Sequence, residues 1–345
     1  MINPFSKTFG REPSNYIERD IEKENIINDF SSVCPTDFTY LICGPRGSGK
    51  TVLMSSISSY FKNLDNWIVV DPGPKENLLE NIAARLYENA KLKTKFLKGE
   101  FSFSFQGISF SLKGEQPITT AFVLLSKMCE ILKKKKKRIL ITIDEVDNSK
   151  EMKTFIEAYQ TLICEQNDVM LLMTGLYENV SKLQDNPSLT FLYRAPKITL
   201  GALSLTKITA NYETILAISH DEANECAKIT KGYAYAYQVL GFLLFNQEKR
   251  QIDKILLASF DDILSEHVYQ KIYSSLSDKE QTIIKSFNTN AAVKMSTLVE
   301  RTNIDIKTLS VYRDRLIKIG IVKSPKYGYL EFTLPRFNEF LSNQY

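Results

Sequence analysis

The stretch Gly44-Pro45-Arg46-Gly47-Ser48-Gly49-Lys50-Thr51 decides how the rest of this sequence is read. It fits G-x-x-x-x-G-K-[ST] and lies between segments of different periodicity. Residues 38–43 (Phe-Thr-Tyr-Leu-Ile-Cys) read as a short buried strand, and Thr51-Val-Leu-Met-Ser-Ser-Ile begins a helix with apolar spacing. Glycines between a strand and a helix let backbone N–H groups turn inward around phosphate oxygens, where the helix N-terminus adds its positive dipole end. Lys50 then reaches the β- and γ-phosphates and the Thr51 hydroxyl binds Mg²⁺. The expected ligand is ATP with Mg²⁺, contacted along Gly44, Pro45, Arg46, Gly47, Ser48, Gly49, Lys50, Thr51 and Val52.

A nucleotide site also needs carboxylates, and Ile139-Leu-Ile-Thr-Ile143-Asp144-Glu145 supplies them at the end of an apolar strand. Asp144 is expected to hold Mg²⁺ through its water shell. Glu145 is expected to polarise the attacking water. Two acids together point to hydrolysis beyond binding. A further apolar strand, Val169-Met-Leu-Leu-Met173, ends in Thr174-Gly175. Thr174 at that tip either senses the γ-phosphate or is a plain strand-end threonine.

In this order the motifs resemble an AAA+ ATPase, with Walker A at 44–51, Walker B at 139–145 and sensor 1 at Thr174. The closer likeness is to the initiator-like and STAND-like prokaryotic ATPases that carry a C-terminal winged helix. Those often begin N-P-F…F-G…P…hydrophobic-G-R-D/E; this chain has Asn3-Pro4-Phe5, Phe9-Gly10, Pro13 and Tyr16-Ile17-Glu18-Arg19-Asp20. Glu18 replaces the glycine, so the resemblance passes an adenine-side role only to Ile17 and Arg19. Arg194, in Phe191-Leu-Tyr-Arg-Ala-Pro196, falls where such families place an arginine finger acting on a neighbouring subunit; a structural salt bridge is the other reading. Lys231-Gly-Tyr-Ala-Tyr-Ala-Tyr-Gln238 resembles the family's G-Y-P-Y-x-x-Q lid segment, with tyrosines and glutamine where a sensor 2 arginine is usual. That substitution implies slow, switch-like ATP use.

The implied fold class is α/β: a P-loop AAA+ core with a parallel sheet, a helical lid and a C-terminal winged helix-turn-helix. Its expected segments are an N-terminal arm (1–35), the core (36–205), the lid (206–270) and the winged helix (271–345). Strands near residues 40, 68, 141 and 171, separated by helical stretches, give a parallel sheet with right-handed crossovers. Within the core, residues 101–112 alternate Phe and Ser about Gln106-Gly107, so Phe105 is expected to oppose Ile108, Phe103 Phe110, and Phe101 Leu112. This insertion either packs on its own core or contacts a partner or neighbouring subunit. Lys133-Lys-Lys-Lys-Lys-Arg138 reads as a solvated helix C-terminus, or as the border of a DNA channel.

The chain's net charge is +4, yet from Lys271 onward there are 12 Lys+Arg against 7 Asp+Glu, a net of +5. The basic excess is therefore C-terminal. There a capped helix opens at Ser277-Asp-Lys-Glu280, a second follows from Ser296 to Thr302, and a third runs from Ile306 to Ile319. Its stripe of Leu309, Tyr312, Leu316 and Ile319 faces inward, leaving Lys307, Ser310, Arg313 and Lys318 outward beside Arg315. Ile321-Val-Lys and Tyr329-Leu-Glu-Phe are expected to pair as the wing, with Lys326 near a phosphate. Double-stranded DNA is the expected partner, a protein contact being the alternative. Arg194 implies a possible homo-oligomer.

Composition limits the remaining classes. No apolar run approaches the roughly 20 residues of a membrane span, and Met1-Ile-Asn-Pro-Phe5 has no secretory pattern, so a cytoplasmic protein is expected. Five cysteines without a C-x-x-C pair support no disulfide framework, and Cys43 and Cys164 sit among apolar residues as expected packing groups. Two histidines argue against zinc sites and histidine-based triads.

Overall fold

The structure, a computed structural model, describes residues 2–8, 13–73, 75–89, 104–105, 108–109 and 120–344. The chain forms two compact units, Asp20–Cys43 with Leu53–Ile198, and Met1–Arg19 with Gly44–Val52 and Thr199–Tyr345.

The first unit is built on a five-stranded sheet. Along the chain come α1 (Asp20–Ser31), β1 (Thr39–Cys43), α2 (Lys50–Lys62), β2 (Trp67–Val70), α3 (Leu78–Glu88), β3 (Ser104–Phe105), β4 (Ile108–Ser109), α4 (Ala121–Lys134) and β5 (Arg138–Ile143). Then follow α5 (Lys150–Cys164), β6 (Val169–Gly175), α6 (Tyr177–Gln184), α7 (Thr190–Tyr193) and β7 (Lys197–Thr199). The sheet order is β2-β5-β6-β1-β7, and the pairs β2–β5, β5–β6 and β6–β1 are parallel. Every residue of β1 and β6 is buried, as parallel strands covered on both faces require. Strands expected near 40, 68, 141 and 171 are all present.

Packing against the sheet explains the helices. α5 starts at Ser149, whose hydroxyl accepts the Met152 N–H, and it buries Met152, Phe155, Ile156, Tyr159 and Leu162. The fully buried Tyr159 hydroxyl donates to the Phe38 carbonyl at 2.7 Å and accepts from the Thr39 hydroxyl at 3.2 Å, so its polar end is satisfied inside the core. α4 ends within the lysine run, and Lys133 through Lys136 are exposed. Arg138 does not share that surface: its guanidinium donates to the Phe30 and Ser32 carbonyls at 2.8 and 2.7 Å, tying α1 to β5. Cys164 is exposed, against expectation, because it is the last residue of α5 and lies off the buried stripe. β3 and β4 pair Phe105 with Ile108 and Ser104 with Ser109. The outer pairs of that segment, its Gln106-Gly107 turn and Phe9-Gly10 lie outside the described residues.

The second unit is helical. It contains α8 (Leu205–Leu216), α9 (His220–Thr230), α10 (Ala234–Asn246), α11 (Lys254–Leu264), a π-helical turn (Ser265–Tyr269) and α12 (Gln270–Ser274). It continues with α13 (Asp278–Lys285), β8 (Val293–Lys294), α14 (Met295–Thr302), α15 (Ile306–Lys318), β9 (Val322–Lys323), β10 (Tyr329–Phe332) and α16 (Phe337–Ser342). α10 is its centre, with Tyr235 through Gly241 all buried. One apolar cluster runs continuously from Phe5 through these helices to Leu341.

The Asn3-Pro4-Phe5 motif belongs to this core. Phe5 packs where a Cβ on Gly241 would meet its ring at 2.5 Å, with Tyr212 and Tyr237 around it at 5.8 and 5.6 Å between centroids. Gln238 fastens both ends of the arm, accepting the Ser6 N–H at 2.9 Å and donating to the Asn15 carbonyl at 2.6 Å. The last strands form an antiparallel sheet of order β8-β10-β9, with Tyr329 opposite Lys294 and Glu331 opposite Lys323. Among the described residues, no helix is long and apolar enough to cross a membrane.

Candidate functional site

The motif residues fall into two clusters. The first surrounds Gly44–Thr51. Gly47 and Gly49 have φ of +71° and +90°, the left-handed region that costs glycine least. Their amides donate to no acceptor among the described residues, so two backbone donors remain for an anion at the start of the 13-residue helix α2. The Lys50 ammonium donates to the Gly44 and Pro45 carbonyls at 3.0 and 2.9 Å. A loop that presents amides and an ammonium together fits a polyphosphate.

This loop is held from outside by the helical unit to which it belongs. The Tyr233 hydroxyl donates to the Arg46 carbonyl, and the Tyr235 N–H to the Gly47 carbonyl at 3.1 Å. Arg19 donates to the carbonyls of Ser48 and Gly201 at 3.1 and 2.7 Å. Pro45 lies against Gly320, where a Cβ would meet the proline Cδ at 3.0 Å. Burial pushes the Tyr233 and Tyr235 phenols well above their ordinary pKa, so both stay neutral hydrogen-bond donors. Tyr235 donates onward to the Lys7 carbonyl at 2.9 Å and meets His267 Nδ1 in the π-helical turn. Of the two arm residues expected near adenine, Arg19 contacts the loop's backbone, while Ile17 packs on the apolar cluster of the helical unit.

The second cluster forms where β5 and β6 end side by side, with Ile143 opposite Met173. The next residues are Asp144 and Thr174. The buried Thr174 hydroxyl donates to Asp144 Oδ1, and the Glu145 N–H donates to the same oxygen at 2.9 Å and lies 3.3 Å from Thr174 Oγ1. The Val146 N–H donates to the Thr174 carbonyl at 2.7 Å. Glu145 is exposed and takes φ of +53°. The structure therefore brings Asp144, Glu145 and Thr174 into one hydrogen-bonded network. Lys75, which lies in no recognisable motif, donates to the Glu145 carbonyl and pairs with Asp147 at 3.2 Å. A lone lysine 70 positions upstream carries no local signature of that contact.

Arg194 is exposed at the end of α7, and its guanidinium meets no carboxylate among the described residues. Of the residues expected to face DNA, Lys307, Lys318 and Lys326 are exposed. Lys326 Nζ lies 4.1 Å from the Tyr329 ring centroid. Ser310 donates to the Ile306 carbonyl, and Arg313 forms two bonds to Asp314 at 2.9 and 2.7 Å. Arg315 turns to the fully buried Glu280, 3.2 Å away.

Comparison with known proteins bears on the fold. Residues 22–188 match the model of an ATPase domain predominantly from Archaea, and residues 266–341 match a domain of unknown function, DUF8462. No curated protein matches the sequence. Among solved structures, a Walker-type ATPase of Pyrococcus abyssi is similar at TM-score 0.66 and 14% identity, over 95% of this chain and 96% of that one. The ORC2 protein of Aeropyrum pernix, solved as ADPNP–ADP complexes, is similar at TM-score 0.61 and 14% identity, over 98% and 96%. The fold is that of these P-loop ATPases, mixed α/β around a parallel sheet.

Proposed function

We propose that this chain binds ATP with Mg²⁺, hydrolyses it slowly, and uses its nucleotide state to control DNA engagement or assembly. The observation that supports hydrolysis is the network at the ends of β5 and β6. Thr174 and the Glu145 amide both donate to Asp144 Oδ1, which fixes the orientation of the carboxylate. Thr51 and Asp144 offer the hard oxygen ligands that suit Mg²⁺, which neutralises phosphate charge when bound. Lys50 and the amides of the loop hold the β- and γ-phosphates, and Glu145 takes the proton of the attacking water. Arg194, exposed and unpaired with any carboxylate among the described residues, acts on the nucleotide of a second copy. Tyr233 and Tyr235 occupy the lid segment where a sensor arginine is usual, which supports slow turnover.

DNA engagement rests on the C-terminal segment, read as a winged helix from α13, α14, α15 and the β8-β10-β9 sheet. α15 presents Lys307 and Lys318, and the β9–β10 turn presents Lys326. Backbone phosphates are the target these lysines suit. One observation favours a second reading: Gly320, after α15, packs on Pro45 of the loop. A C-terminal segment that touches the phosphate-binding loop suits a nucleotide-regulated signalling switch whose winged helix makes protein contacts. ATPase rate with and without duplex DNA, with oligomeric state followed in parallel, separates the two. Binding that weakens steeply with salt, together with DNA-stimulated turnover, supports the first reading. Duplex DNA that neither binds at moderate salt nor alters turnover removes it.

A further inference from the structure

Glu145 adopts a backbone conformation that its residue type disfavours. At φ of +53° it sits in the left-handed region, which a residue with a Cβ disfavours. Such an outlier persists only where its surroundings over-determine it. The peptide groups around it are fastened in turn. The Glu145 N–H is held by Asp144 Oδ1, the Val146 N–H by the Thr174 carbonyl, and the Val146 carbonyl by the Asn179 side-chain amide at 3.1 Å. The Glu145 carbonyl accepts from Lys75.

Lys75 is itself held. Its ammonium pairs with Asp147 at 3.2 Å, and Asp147 accepts the Ser149 N–H at 3.0 Å as α5 begins. Burial alone would raise the Asp147 pKa, but hydrogen bonds from Ser149 and the Lys75 ammonium outweigh it and keep the carboxyl below its ordinary value. The series runs from the start of α5 through Asp147 and Lys75 to the peptide after the catalytic glutamate. A cation reaching across 70 residues to one carbonyl is an unusual use for a lysine one-third exposed, since its head could remain in water.

We propose that Lys75 is a positioning residue for ATP hydrolysis, clamping the Glu145 carbonyl so that the glutamate stays in its left-handed conformation with its carboxylate aimed at the attacking water. The inference rests on the reading of Glu145 as the base. Without the clamp, the 145–146 peptide relaxes toward an ordinary conformation and the carboxylate is displaced. A shift near 1 Å at such a group costs up to about 100-fold in rate.

The test uses the full chain and compares Lys75→Met, Lys75→Arg, Asp147→Asn and Glu145→Gln. Steady-state ATPase, affinity for a fluorescent ATP analogue with Mg²⁺, and melting temperature are measured for each. Lys75→Met is expected to lower kcat about 10- to 100-fold, with KM and analogue affinity changed less than about threefold. Lys75→Arg should restore most of the rate, because a guanidinium can still donate to the carbonyl. Asp147→Asn should lower kcat less, and combining it with Lys75→Met should cost no more than Lys75→Met alone. An unchanged kcat in Lys75→Met, a KM that rises as kcat falls, or additive losses in the double variant overturns the proposal. If Glu145→Gln turns over normally, the base assignment falls first. If Glu145→Gln is inactive while Lys75→Met is normal, only the role of Lys75 is removed.

Discussion

The hydroxyl of Tyr233 donates a hydrogen bond to the backbone carbonyl of Arg46, 187 residues earlier in the chain. The same hydroxyl stands 2.4 Å from where a Cβ on Gly47 would lie. Glycine at 47 thus answers two demands, a φ of +71° and room for a tyrosine of the helical unit. The loop whose Gly47 and Gly49 amides donate to no acceptor among the described residues has its Arg46 and Gly47 carbonyls held by Tyr233 and Tyr235 of the same unit.

Gly47→Ala is therefore expected to destabilise the loop by about 1–2 kcal/mol from backbone strain alone, with a further loss from collision with Tyr233. Tyr233→Phe should cost about 1 kcal/mol and relieve part of the collision when combined with Gly47→Ala. Chemical denaturation of the two single variants and the double variant, alongside nucleotide titration, measures the coupling. Strict additivity would show that the contact carries no energy.

Lys50→Ala and Glu145→Gln should separate binding from hydrolysis. Losing the ammonium removes charge-assisted bonds worth about 1.5–3 kcal/mol, so nucleotide affinity should fall by at least about tenfold. Glu145→Gln should bind ATP normally and not turn it over. Unchanged turnover in Glu145→Gln would remove the base assignment.

Arg194→Ala should lose activity while retaining nucleotide affinity. Mixing it with Glu145→Gln should restore turnover if the arginine serves a neighbour's nucleotide. Mixtures no more active than their components would leave Arg194 without a role between subunits.

Phe5→Ala should destabilise the helical unit by about 3–5 kcal/mol, because a fully enclosed aromatic leaves a cavity against Gly241, Tyr212 and Tyr237. Gln238→Ala should act in the same direction, since it frees both the Ser6 amide and the Asn15 carbonyl. Thermal unfolding measures both. A melting temperature unmoved by Phe5→Ala would mean the arm is dispensable to this core.

The Asp147 pair should give a pH-dependent contribution to stability. Its folded pKa is depressed, so the contribution is present above the unfolded value of about 3.9 and is lost as pH falls through the folded value. The stability gap between the wild type and Asp147→Asn should be widest near neutrality and close as pH falls through the folded value. A gap independent of pH would show that the charge is not what matters.

Sequence alone determined the features whose signals are local. The glycine-lysine loop, the buried strands near 40, 68, 141 and 171, and Asp144, Glu145 and Thr174 at strand ends all follow from short-range spacing and periodicity. The helix starting after Ser277 was legible in the same way, because the Glu280 carboxylate that accepts the Ser277 N–H is three residues on. β8 escaped notice, since two residues carry no period; it exists because β10 offers it an edge. Arg138 follows the lysines in sequence but does not share their exposure, because its place on β5 opposite Trp67 turns its guanidinium to the Phe30 and Ser32 carbonyls. Only the tertiary structure decided that Lys75 meets Glu145, that Tyr233 meets Arg46, and that Phe5 fills the groove at Gly241. Those pairings link residues far apart in the chain, and their partners are chosen by how the sheet and helices pack. A motif can specify which groups a strand tip carries, but the packed fold decides which distant side chain holds them still.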